Sequence, residues 1–398
     1  MMFTITDQDG ITYNIANASD AFSGLNAEER GQLEYAKQTA LEAFQSAYQK
    51  QPKKEDSLSV PEILLSDSME PNFIDAAIDQ TSMEFQPVIC YGMVKRLRDE
   101  IEQRYPVDWL LRTWVAEQDE YLSFCQRTFE YGIKFLALHE LFHMWHGHLK
   151  WQTNYYIAEK KQICKGNGMA LYAQYKPIVY SINYDNPDEV NRYRSIGKIV
   201  IDYHLSQQAL EADADRSAIS SLTNTIIADI TGKDVTTANE SAKIDFSALL
   251  ASIATVNYIF HHNARKQYSF KTLPDDLLKL DHPTPAVRYY MEQSHIKEII
   301  RRQIKDDSIR RTAFDAILAI DEHENEICNR DGEQNPFYAT AYCNIGQEMV
   351  MNCRMRYNLI YLTLKQFADC KLEKTYPAKD ICIDKEAIRY NDFGEKLQ

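Results

Sequence analysis

The decapeptide HELFHMWHGH, residues 139–148, places four histidines and one glutamate within ten positions. On a helix turning 100° per residue, side chains three, four and seven apart share a face. His139 and His143 therefore project together, one turn apart. Glu140 is rotated by about a quarter turn, where it reaches a metal-bound water without becoming a ligand. The pattern is HExxH: two neutral imidazoles for zinc and an adjacent carboxylate as general base. The bland alternative is a chance match. Its flanks weaken it, because Phe135, Leu138, Leu141, Phe142 and Trp145 imply a buried helix in which unpaired polar groups are costly.

The other two histidines fit less well. His146 falls near the same face but about 10 Å along the axis from His139, too far to share one ion on a straight helix. His148 points to the opposite side of a helix continuing to Lys150. Both are expected to be structural or to support the ligands from behind. The longer pattern HExxHxxGxxH fails, since position 149 is Leu and the glycine falls at 147.

An open catalytic zinc site needs a third protein ligand, with the fourth position left for water. The downstream stretch SQQALEADADRSAIS offers Glu211 and Asp215, four apart on an expected helix. Glu211 is the candidate ligand. Asp215 would then bond the distal nitrogen of a ligating histidine and fix its tautomer. An ordinary solvated acidic face is the competing reading. The small, apolar neighbours Ala209, Leu210, Ala212, Ala214, Ala218 and Ile219 speak for close packing instead.

The elements that must position these groups are legible in outline. FTITDQDGITYNI alternates around Asp9-Gly10, a hairpin signal. LNAEERGQLEYAKQTALEAFQSAYQK reads as a helix with Asn26 as cap and Glu29 completing the box. The polar run 49–57 is the clearest linker. NFIDAAI (72–78) and PVICYGM (87–93) suit a pair of strands. Helical spacing runs from Asp119 to about Lys150, and returns over about 190–220 and 242–266. Residues 151–190 look like loop with short elements. Thr284 and Pro285 look like the cap and first residue of another helix. The last hundred residues are mostly helical, with a long candidate at about 337–369.

The whole chain sets limits on function. Its 398 residues are 44% apolar, enough for a substantial core, and its net charge of −14 argues against a nucleic-acid binder. Eight cysteines show no CxxC pair, as expected of reduced intracellular thiols rather than a disulfide frame. The N-terminal residues lack the basic and apolar regions of a signal peptide. FSALLASIATVNYIF (246–260) is too short to span a membrane and reads as a buried core helix. The expectation is a soluble, cytoplasmic protein that binds neither nucleic acid nor membrane.

HELFHMWHGHL, then EADAD, then DHPTPAVR, resembles the gluzincin peptidases of the HtpX and CAAX-protease type, which show HExxH, a later ExxxD and a downstream His-Pro before an Arg. The strand pair ahead of the histidine helix is similar to their edge strands. The soluble Lit phage-exclusion peptidases are similar too, their HExxHxxxGH form being matched by His139, Glu140, His143, Gly147 and His148. The resemblance covers about 70–300. It implies zinc ligation by His139, His143 and Glu211, base function for Glu140 and an orienting role for Asp215. It also draws attention to His282, two residues before Thr284. That side chain either donates to a developing oxyanion or simply packs beside Pro283 in a turn. Arg288 is equally readable as a structural salt-bridge partner.

The sequence thus predicts a mainly helical α+β protein: a zincin-like core with a small antiparallel sheet. Its expected regions are an N-terminal hairpin and helix (1–56), a zinc peptidase domain (57–304) and a C-terminal helical region (305–398). The expected function is a zinc-dependent endopeptidase acting on a cellular protein, with substrate extended along an edge strand near 72–78 or 87–93. Resemblance to the Lit group implies a substrate such as a translation factor cut in phage defence. An activating or inhibiting protein partner is part of this expectation. The competing class is a metal-stabilised, non-catalytic module binding a partner through its C-terminal helices. Such a module would close the metal with four protein ligands and have no use for Glu140.

Overall fold

Asn26 and Glu29 satisfy each other's backbone. The Asn26 side chain accepts from the Glu29 N–H at 3.0 Å, and Glu29 accepts from the Asn26 N–H at 2.8 Å. This reciprocal box starts helix α1, Ala27–Lys50, as expected from the sequence. Leu33, Ala36, Ala40, Ala43, Phe44 and Ala47 recur at three and four residues and are all buried, so α1 lays one apolar stripe on the core.

The computed structural model describes residues 2–6, 11–50, 60–79, 84–113, 118–146, 148, 203–264 and 283–330. The tip of the hairpin, most of the 49–57 linker, the 151–190 segment, His282 and the 337–369 candidate helix lie outside the described residues. Within them the protein is mainly helical with one small sheet. The strands are β1 (Met2–Thr6), β2 (Thr12–Ala16), β3 (Leu64–Ser66), β4 (Phe73–Asp79) and β5 (Glu84–Cys90), in spatial order β1-β2-β3-β5-β4. β1 and β2 form the expected antiparallel hairpin. The pairing of Thr6 with Thr12 leaves five residues between them rather than a two-residue turn.

The sheet is mixed, not antiparallel as expected. β5 returns between β3 and β4, antiparallel to β4 but parallel to β3. Two consequences follow for the expected strand pair. β4 lies at the sheet edge among the described strands, whereas β5 is interior. Residues 91–93 are not strand at all, because helix α2 (Tyr91–Arg104) begins directly at the end of β5. Gly92 makes that junction possible. Its N–H bonds the Ser68 carbonyl at 2.8 Å, and a Cβ there would lie 2.1 Å from the Met69 carbonyl oxygen. One face of the sheet carries a core of Tyr13, Ile15, Leu64, Val88 and Cys90. α1 and α2 pack against the sheet.

The remaining helices are α3 (Val107–Thr113), α4 (Gln118–Trp145), α5 (Tyr203–Ile230), α6 (Val235–Ala264), α7 (Pro285–Gln303) and α8 (Asp307–Arg330). α5 and α6 both extend beyond the stretches expected from periodicity. Gly232, with φ 95°, lets the chain turn between them, and Asp234 caps α6 by accepting the Thr237 N–H at 3.0 Å. α7 begins at Pro285 as expected, with the Arg288 N–H bonded to the Thr284 carbonyl.

Contrary to the expectation that 246–260 is too short to span a membrane, α6 carries a longer stretch, Val235–Phe260, that is apolar and long enough, one such helix among the described residues. It is mostly buried, and Leu249, Leu250, Ala251, Ile253, Ala254 and Val256 are inaccessible, so its apolar character is that of an enclosed core helix, as expected. It packs against α2 and α8. α8 is tied to the end of α2 through buried polar groups: Arg104 pairs with Glu324, and the Tyr105 hydroxyl donates to Glu324 at 2.6 Å.

The chain divides into two compact units, each assembled from discontinuous segments. The first comprises 1–141, 215–266 and 289–338; the second comprises 142–214, 267–288 and 339–398. The first contains the sheet and most of the helices. The second contains, among its described residues, the end of α4, His148, the start of α5 and Pro283–Arg288.

Candidate metal centre

The last three turns of α4 are buried on nearly every side: Ile133, Phe135, Leu136, Ala137, Leu138, Leu141, Phe142 and Trp145 are all enclosed. His139 is 6% exposed and His143 3%, while Glu140 is only half-buried. Along this one helix the ligand-type atoms of His139, Glu140 and His143 lie within 4.8 Å of one another, a group able to hold a metal ion.

In the first unit, Asp215 on α5 places Oδ1 2.8 Å from Nδ1 of His139. The two atoms are close but not aligned as a full hydrogen bond; a carboxylate there favours the proton on Nδ1, which leaves Nε2 as the basic nitrogen. In the second unit, Glu211 places Oε1 3.4 Å from Nε2 of His143. That separation is long for an imidazole–carboxylate hydrogen bond. It suits two ligands of one tetrahedral ion, which at zinc bond lengths of about 2.0–2.1 Å stand about 3.3 Å apart. The other oxygen of Glu211 lies 4.0 Å from Nη1 of Arg288, itself buried, so the guanidinium shares the carboxylate's charge. An imidazole and a carboxylate at this spacing are chemically fit for a divalent metal.

His146 and His148 form a second group with Asp213. All three are buried, and their ligand-type atoms also lie within 4.8 Å of one another. His146 Nδ1 is 2.5 Å from Asp213 Oδ2, and His148 Nε2 is 3.2 Å from the same oxygen, though not aligned on it as a full hydrogen bond. The other ring nitrogen of His148, Nδ1, is 3.0 Å from Nδ1 of His143. Burial pushes His148 down to about 4, against the pull of Asp213, so the ring is neutral near pH 7. Burial pushes the Asp213 carboxyl upward, but the charges and hydrogen bonds of His146 and His148 outweigh it. They hold Asp213 well below the usual carboxylate range.

The placement of His148 corrects the sequence expectation. Extrapolating a straight helix to Lys150 put it opposite His143. α4 instead ends at Trp145, with His146 in the following turn, and His148 packs edge-on against the His143 ring. Asp213 was missed for a related reason. Only the four-residue pair Glu211 and Asp215 shares a helix face, and Asp213 lies on another. The alternation EADAD carried the missing signal, since three acids at every second position of an apolar helix place charge on more than one buried face.

A second His-centred arrangement lies in the first unit. Ser220 Oγ is 2.7 Å from His295 Nε2, and His295 Nδ1 is 3.5 Å from Glu298 Oε2. The order of groups is that of nucleophile, base and orienting acid. Ser220 sits in the interior of α5, however, where the neighbouring backbone N–H groups are committed to helix bonds and cannot stabilise an oxyanion. The arrangement ties α5 to α7. Comparison of the chain with protein-family models, with curated proteins and with solved structures finds no match.

Proposed function

We propose that the protein is a zinc-dependent endopeptidase, with a zincin-like core in which His139, His143 and Glu211 hold the metal. The observation that carries this reading is the 3.4 Å gap between His143 Nε2 and Glu211 Oε1, a ligand–ligand spacing on the face of an HExxH helix. When bound, zinc polarises the scissile carbonyl and lowers the pKa of a water. Glu140, one residue after the first ligand and half-buried, takes a proton from that water and delivers it to the leaving amine. Asp215, 2.8 Å from His139 Nδ1, favours the proton on that nitrogen and so leaves Nε2 for the metal. Arg288 tempers the charge on Glu211. Substrate in extended form has one described strand to pair with at an edge near the histidine helix in sequence, β4. The substrate class is a protein, and the resemblance to the Lit group favours a cellular one.

The test pairs metal content with detection of new protein termini in cells expressing the chain. Glu140→Gln is expected to retain zinc and to lose the termini that the parent generates. A variant that still cuts within tenfold of the parent rate overturns the mechanism. Loss of zinc from folded Glu140→Gln makes Glu140 a ligand instead. Glu211→Ala is expected to lose zinc while His146→Ala keeps it; the reverse ranking sinks the gluzincin assignment.

A further inference from the structure

The two Nδ1 atoms of His143 and His148, 3.0 Å apart, pose a proton-counting problem. Two N–H groups cannot point at each other across that gap, and two lone pairs would repel. One ring donates and the other accepts. The direction is set at the far side of His148. Asp213 Oδ2 is 3.2 Å from His148 Nε2, close though not aligned as a full hydrogen bond, and a carboxylate oxygen accepts, so the proton of His148 belongs on the Nε2 that faces it. The Nδ1 of His148 is then a lone pair, and the proton in the 3.0 Å gap belongs to His143. That puts the lone pair of His143 on Nε2, the nitrogen 3.4 Å from Glu211 Oε1. A lone pair and a carboxylate at this separation stand as two ligands of one cation do.

We propose that Asp213 and His148 are positioning residues for the metal centre, a carboxylate–imidazole chain that locks His143 in the tautomer with Nε2 directed at the ion. The inference rests on the zinc reading above and deepens it. His139 and His143 then each have a buried carboxylate setting their tautomer, Asp215 directly and Asp213 through the His148 ring. His146, 2.5 Å from the same Asp213 oxygen, donates to it and fixes the carboxylate in place. The rival use of this cluster is a second metal ion bound by His146, His148 and Asp213. The 2.5 Å contact speaks against it, because two ligands of one zinc stand about 3.3 Å apart.

The experiment uses the full chain purified without added metal, folding checked by circular dichroism. Zinc stoichiometry is read by mass spectrometry and zinc affinity by competition with a chromophoric chelator. Asp213→Asn keeps the shape of the side chain but can donate to His148 Nε2, which reverses the chain and puts the His143 proton on the wrong nitrogen. It is expected to weaken zinc by about 10–100-fold. His148→Leu should lose affinity similarly, and His148→Asn, which restores an acceptor near the position of Nδ1, should recover most of it. In histidine-labelled zinc protein, long-range proton–nitrogen correlations should show His143 protonated at Nδ1 and metal-bound through Nε2. His143 bound through Nδ1, or zinc affinity unchanged in folded Asp213→Asn and His148→Leu, overturns the proposal while leaving the zinc site standing. Two zinc ions per chain, one of them lost in His146→Ala, replaces it with the second metal site. Zinc binding indifferent to Glu211→Ala overturns the underlying reading and this proposal with it.

Discussion

Asp215 Oδ1 stands 2.8 Å from His139 Nδ1, with both side chains buried. The same four-residue step separates His139 from His143 and Glu211 from Asp215, and each member of one pair has its partner in the other. A buried carboxylate beside Nδ1 disfavours the other tautomer of His139. Replacing Asp215 by Ala is expected to weaken zinc by about 10–100-fold without removing a ligand. Chelator competition on the folded variant measures it. Affinity equal to the parent's would reduce the contact to packing.

How much of this was legible depended on the range of the interaction. The capping box of Asn26 and Glu29 spans three residues, and Pro285 starts α7 where the local pattern placed it. β4 and β5 announced themselves by composition, and their antiparallel pairing follows. β3 did not, being only three residues, Leu64–Ser66, whose parallel pairing with β5 is decided by the sheet and not by local periodicity. The contact between Arg104 and Glu324 joins positions 220 residues apart, and nothing in either neighbourhood signals the other.

At the candidate site the histidine spacing was readable because a helix imposes it. The position of His148 was not, because it depends on α4 ending at Trp145. Periodicity describes a helix well and its last residue poorly. Asp213 fell outside a search for shared faces, and only the fold shows that His146 and His148 reach the face it occupies.

The Glu298 carboxylate gives a pH prediction away from the metal centre. Its hydrogen bond to His295 comes first, then burial opposing, then the charges of Arg302, His295 and Arg216; together they hold it down at about 2, from an ordinary value of 4.5. A carboxyl depressed in the folded state stabilises it above the unfolded value, and that contribution is lost as pH falls. The window is therefore pH 4.5 down to about 2. Glu298→Gln is expected to flatten the loss of stability across this window relative to the parent, with the effect reduced because the side chain is 39% exposed. Urea midpoints at several pH values in apo-protein measure it. Parallel acid limbs for parent and variant would refute the contribution.

Two glycines should respond to the same substitution with opposite signs. Gly31 lies in α1 with nothing within 4 Å of a Cβ built on it, so alanine there meets open space and removes only glycine's backbone freedom. Gly31→Ala is expected to stabilise by about 0.5–1 kcal/mol. At Gly92 the added Cβ would sit 2.1 Å from the Met69 carbonyl oxygen and 2.6 Å from that of Glu70. Both obstacles are backbone, and the Gly92 N–H is bonded to the Ser68 carbonyl, so neither side can yield without opening the turn where β5 becomes α2. Gly92→Ala should destabilise by about 1–3 kcal/mol as an overpacked site. Denaturant titration of the two variants beside the parent decides it. A neutral Gly92→Ala would mean that the chain from Ser68 to Glu70 yields to the added Cβ and that the close approach at the junction of β5 and α2 does not require glycine.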